Sequence, residues 1–170
     1  MRKKIISAAL SLCLICSAAV PIFAAQNNMS NFKITNTYSG TFKDVASTHW
    51  AASAVETCYE YDLMKGNSAV TFHPDGNLTV AQAIVMADRV HEIYTTGEST
   101  LQNGKTWYQP YIDYAAENGI LSEGEFKDYD AAITRAQMAS LFCNALPASE
   151  LSAINAVSSI PDIAGNPNSD

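Results

Sequence analysis

The chain has 170 residues, with 10 basic against 17 acidic side chains and a formal charge of −7; 48% of it is apolar and 16% charged. That composition fits a folded chain rather than a disordered acidic tail. The length admits one ordinary domain or two small ones and is short for most barrel or doubly wound enzymes. An acidic balance with no basic stripe speaks against non-specific nucleic-acid binding, which needs cations to displace counterions.

Residues 1–25 open on Arg2, Lys3 and Lys4. They run apolar from Ile5 to Phe23 and end on Ala24 and Ala25, before Gln26, Asn27 and Asn28. Basic start, apolar centre and small-residue exit predict a secretory signal peptide. A membrane anchor of about 20 residues is the competing reading, which Pro21 and the small exit disfavour. Removal takes three basic and no acidic residues and leaves Cys58 and Cys143. Both fall at apolar-face helical positions and are expected as buried free thiols, a single long-range bridge being the alternative. Residues 26–41, rich in Ser, Asn and Thr, are expected to form a mobile leader.

A first unit, 42–97, reads as helix, long loop, helix. Ser47 and Thr48 are candidate N-caps, and Trp50, Ala54, Val55, Cys58 and Tyr61 follow at helical spacing. Gly66 is placed for a left-handed stop, and Gly76 marks a turn before a second helix with Ile84, Ala87, His91 and Tyr94 on one stripe. A second unit, 98–155, begins with a Gly-containing loop. Pro110 then sits in a first helical turn, where its missing N–H costs little. Tyr108, Tyr111, Ile112 and Ala115 form the stripe of that helix, which Asn118 and Gly119 end. Met138, Leu141, Phe142, Ala145 and Leu146 form the stripe of the next. These stripes read as core rather than as a cofactor box, and neither helix pair can bury its face alone.

The two units are copies. Trp50 and Trp107 stand 57 positions apart, and Leu78-Thr79-Val80-Ala81-Gln82 repeats 55 positions on as Ile133-Thr134-Arg135-Ala136-Gln137. A third, partial echo links Phe42-Lys43-Asp44-Val45 to Ile160-Pro161-Asp162-Ile163. Residues 156–170 are therefore expected to be a connector and the start of a truncated third unit. Thr79 with Gln82, and Thr134 with Gln137, fit a capping box worth about 1 kcal/mol. Arg135 is not explained by the cap, since a cation in the first turn opposes the helix dipole. It is either a tolerated exposed Arg or part of an anion site in which the guanidinium pairs with a carboxylate.

Phe42-x-Asp44-Val45, Trp50 with Ala54-Val55, Gly66, Phe72-x-Pro74 and Leu78-Thr79, followed by the Thr134-Arg135-Ala136-Gln137 segment, resemble the S-layer homology (SLH) repeat over about 42–146, with a stub at 160–163. The resemblance implies an all-α fold: tandem helix–loop–helix repeats packed as a helical bundle with a pseudo-three-fold arrangement, the third repeat incomplete. It implies a non-catalytic anchoring module, secreted to the bacterial cell wall or S-layer surface. Such a module binds a secondary cell-wall polysaccharide, in many members one with a carboxylate-bearing pyruvate ketal, in grooves between repeats. By residue it points to Arg135, with Thr134 and Gln137, as the contact for the acid, and to Asp44, Trp50 and Trp107 as groove residues. For the tryptophans, stacking on a sugar competes with plain core packing. A further repeat, from this chain or another, would complete the head. No nucleic acid and, after signal cleavage, no membrane is expected as partner.

This chain departs from the family pattern. Val80 stands where the motif Arg of the first unit would be, Gln82 and Gln137 replace the usual acid, and only Lys105-Thr106 precedes Trp107. The competing function is an envelope structural module that assembles with other chains and binds no glycan. Nothing points to catalysis, metal or cofactor. Glu56, Glu60, Glu117 and Glu123 form no facing pair. Asp128-x-Asp130 lacks the Gly and final Glu of a calcium loop, and His49, His73 and His91 lack zinc spacing. No nucleophile triad or phosphate-binding Gly loop occurs.

Overall fold

Two helix–loop–helix units follow one another in a computed structural model that describes residues 29–151. Helices α1 (Ala52–Glu60) and α2 (Val80–Thr96) belong to the first unit; α3 (Gln109–Glu117) and α4 (Arg135–Asn144) belong to the second. The fold is all-α, as the sequence predicts. The expected signal segment 1–25 and the expected third-unit opening at 156–170 lie outside the described residues.

Helix α2 is the central element and packs on α3, on α4 and on a 3₁₀ turn at Met29–Asn31. Its start is fixed by the predicted capping box: Gln82 N donates to Thr79 Oγ1 (3.2 Å) and Thr79 N to Gln82 Oε1 (2.9 Å). Helix α4 begins with the same reciprocal pair between Thr134 and Gln137. Gly97 ends α2 at φ +90°, where only glycine avoids a left-handed strain. Small residues on α2 and α3, Ala83, Ala87 and Ala115, are wholly buried and let the helices approach closely around Ile84, Tyr111, Ile120 and Leu141. A second cluster gathers Phe42, Val45 and Val55 with the rings of Tyr38, Tyr59 and Phe72.

Three expectations are corrected. Helix α1 starts at Ala52, and Ser47 and Thr48 do not cap it. No side chain caps it; the His49 imidazole only accepts from Ala51 N, just before the helix, at Nδ1 (3.2 Å). The stretch 29–41 is not a loose leader. Thr35 N and Asn36 N donate to Glu60 O, Asn36 Nδ2 to Tyr59 O and Asn31 Nδ2 to Tyr94 O. A helix leaves its last carbonyls without intrahelical donors, and the Asn- and Thr-rich stretch supplies them for α1 and α2. Finally, the cysteines are free, but Cys58 is half-buried and Cys143 exposed. The reason is thin cover on their helices: α1 buries only Val55 and α4 only Leu141, where α2 buries nine residues.

Candidate functional site: a groove between the two units

The units are joined through the start of α2. Val80 N donates to Ala131 O, Ala81 N to Tyr129 O and Ile133 N to Leu78 O, each at 2.9 Å, around an antiparallel bridge between Thr79 and Ala132. Beside this junction lies a groove of about 400 Å³. One wall is the outer face of α2, with Gln82, Val85, Met86 and Arg89. Another is the loop of the first unit, with Lys65, Gly66, Phe72 and His73. Asn103 and Trp107 of the second unit close it. In a chain of formal charge −7, the lining holds Lys65 and Arg89 and no carboxylate of its own, while Asp62 beside it pairs with Lys65 (3.4 Å).

Local chemistry holds each wall. Asp44 does not face the groove. Its carboxylate clamps the loop, accepting from Phe72 N (2.9 Å) and His73 N (2.7 Å). The N–H of Phe72, then that of His73, holds the Asp44 carboxyl below its ordinary range, because those bonds favour the charged form. Phe42, two residues earlier, buries its ring beneath the same loop against Gly66, where any Cβ would strike the ring. On the far side, the buried carboxylate of Glu92 binds Ser99 Oγ, Thr100 N and Oγ1, and Leu101 N. Tyr111 Oη reaches Leu101 O and Asn103 Oδ1 (3.2 and 3.3 Å). Together these bonds fix the strip that carries Asn103 toward Trp107.

Of the six candidate ligand residues, Asp44, Trp50, Trp107, Thr134, Arg135 and Gln137, only Trp107 lines the groove; it is 39% exposed and stacks edge-on with Tyr108. Trp50 is 85% exposed and outside the groove lining, so neither tryptophan is packed in the core. Thr134 and Gln137 spend their polar atoms on each other in the cap. Arg135 is exposed in the first turn of α4 and lies outside the groove lining. Sequence reasoning passed over Arg89 and Lys65. Arg89 had a signal: positions 82, 85, 86 and 89 share one helical face.

Residues 41–84 match the family model of the S-layer homology domain. The chain belongs to the S-layer homology family. An endoglucanase of Bacillus sp. (strain KSM-635) is 33% identical over 143 residues, covering 82% of this chain and 15% of that protein. The S-layer protein sap of Bacillus anthracis is 25% identical over 147 residues, 84% of this chain and 16% of its own length. The surface-layer 125 kDa protein of Lysinibacillus sphaericus is 27% identical over 110 residues, 59% and 9% of the two chains. The chain thus spans less than a fifth of each. In SLH terms, the Phe-x-Asp opening of the matched repeat has a structural meaning here: the ring supports the loop from below and the carboxylate ties it from the side.

Proposed function

We propose that this SLH chain is a non-catalytic module that anchors at the bacterial cell surface by holding an acidic wall polysaccharide in the groove between its units. The observation that carries the reading is the lining: Arg89, one tryptophan and several amides, with Lys65 held by Asp62 at the edge and no carboxylate in the lining itself, in a strongly acidic chain. A guanidinium meets a carboxylate through two parallel hydrogen bonds, which suits the acid of a pyruvylated sugar, while the Trp107 face offers a surface for the ring. Arg89 takes the part that Val80, at the motif position of the first unit, cannot. Arg135 gives the second unit a further cation for the same polymer, at the start of α4. Asp44 acts through the loop it clamps. The relatives named as S-layer and surface-layer proteins support a surface location.

The test is co-sedimentation of the purified chain with cell-wall sacculi. Binding is expected to fall about tenfold or more for Arg89→Ala, the loss of one charge-assisted contact. It is also expected to fall for Trp107→Ala and after mild acid strips ketal-linked pyruvate. Arg135→Ala, assayed beside them, measures the second cation. Sedimentation that ignores acid treatment and all three substitutions would overturn the glycan reading in favour of an envelope module that binds only protein.

A further inference from the structure

The bonds that join the two units have unbonded counterparts at both ends of the pair. Within the chain, the start of α2 offers Val80 N and Ala81 N to the carbonyls of Ala131 and Tyr129 and receives Ile133 N on Leu78 O. One repeat further on, the start of α4 offers the N–H groups of Arg135 and Ala136 and the carbonyl of Ile133. None of these has a hydrogen bond among the described residues. One repeat back, segment 74–78 stands where 129–133 stands in the second unit. The carbonyls of Pro74 and Gly76 and the N–H of Leu78 are likewise unbonded there, and Asp75, Gly76 and Asn77 are exposed. Each open group at one end therefore has its mate at the other, in the register the chain already uses.

Side chains repeat the message. Trp107 closes against the outer face of α2, whereas its counterpart Trp50 stands 85% exposed, with no counterpart of α2 beside it among the described residues. Helix α4, for its part, lacks the cover that α2 has. Charge agrees as well: the free segment brings Asp75, and the open helix start presents Arg135, both exposed.

We infer that a second copy of this chain docks head to tail on the first, its segment 74–78 on the start of α4 and its Trp50 against the outer face of that helix. The contact is heterologous, so it uses two different surfaces and leaves one of each free for a further copy or for ring closure. It shares Gly76, Asn77 and Leu78 with the groove lining and Arg135 with the polymer contact proposed above, but its test contains no wall polymer, so it can fail while the glycan reading stands.

Sedimentation velocity of the purified chain over a concentration series reads it directly. Ala136→Pro removes one open N–H at the second helical position, which α3 already fills with Pro110, and blocks the tail surface. Trp50→Ala weakens the head surface, with the exposed Asp75→Lys as its replacement should Trp50→Ala fail to give a native circular dichroism melt. The wild type is expected to gain mass with concentration, and either variant to need about ten times more protein for the same gain. An equal mixture of head and tail variants is expected to recover a dimer, because one intact surface of each kind remains. A wild type that stays at the monomer mass throughout overturns the inference. So do variants that associate as the wild type does, and so does a mixture no better than its parts.

Discussion

Asp88 is the residue whose chemistry is least comfortable. It lies on α2, wholly buried, and neither carboxylate oxygen has a hydrogen-bond partner. Burial first, and then the Glu92 carboxylate one turn on, push its pKa up to about 8. The unfolded chain gives up this proton near pH 4, while the folded chain keeps it to about pH 8. Stability from this group is therefore complete below about pH 4 and is lost as the pH rises toward 8. Thermal melts between pH 5 and 8 should show the wild type weakening as pH rises and Asp88→Asn with a flatter profile. Equal slopes would show that Asp88 is ionised in the folded chain. The two cysteines differ in a way the sequence concealed. Both sit on helical stripes, yet Cys143 is exposed and Cys58 is half-buried with its thiol pKa raised by that burial. Thiol labelling should be fast at Cys143 and slow at Cys58 in the folded chain, and equal in denaturant.

At the level of elements, the loop before α2 is held by two contacts of different kinds. Gly66 has φ +81°, and a Cβ there would meet the Phe42 ring and Thr71 O. Gly66→Ala should cost about 2–3 kcal/mol in denaturant melts, from left-handed strain and a clash in a filled core together. Asp44→Ala leaves the helices in place but frees the N–H groups of Phe72 and His73. Faster hydrogen exchange at those two amides, with wall binding reduced and little change in helix content, is the expected signature. The capping boxes and the stop of α3 were the most legible features, because each is a local bargain between neighbours: Thr79 with Gln82, Thr134 with Gln137, Asn118 and Gly119 at the end of α3. The stop expected at Gly66 was not, since α1 ends at Glu60 and the left-handed residue that follows it is Asp62 (φ +57°). Nor was the start of α1, since neither Ser47 nor Thr48 nor any other side chain caps it.

Across the whole molecule, the repeat spacing made the two-unit, all-helical plan readable before any coordinates, because a duplicated stripe-and-cap pattern admits few packings. The ligand groove was only half readable. Trp107 announced itself by repetition. Arg89 and Lys65 did not, because neither belongs to a repeated motif and only the folding of the first unit's loop beside α2 places them together. The stretch 29–41 misled in the same way: polar composition suggests looseness, yet here the polar groups answer carbonyls some 20 to 60 residues away in the chain. What a sequence states poorly is which distant backbone group an ordinary Asn or Thr will satisfy.

The chain holds two tryptophans, one in the groove and one exposed outside it. Their indoles make the molecule its own two-channel fluorophore. Saccharide entering the groove should alter emission from Trp107 alone, and self-association should blue-shift Trp50 alone. Replacing either indole by phenylalanine leaves a single-colour reporter for the other event, with no dye attached.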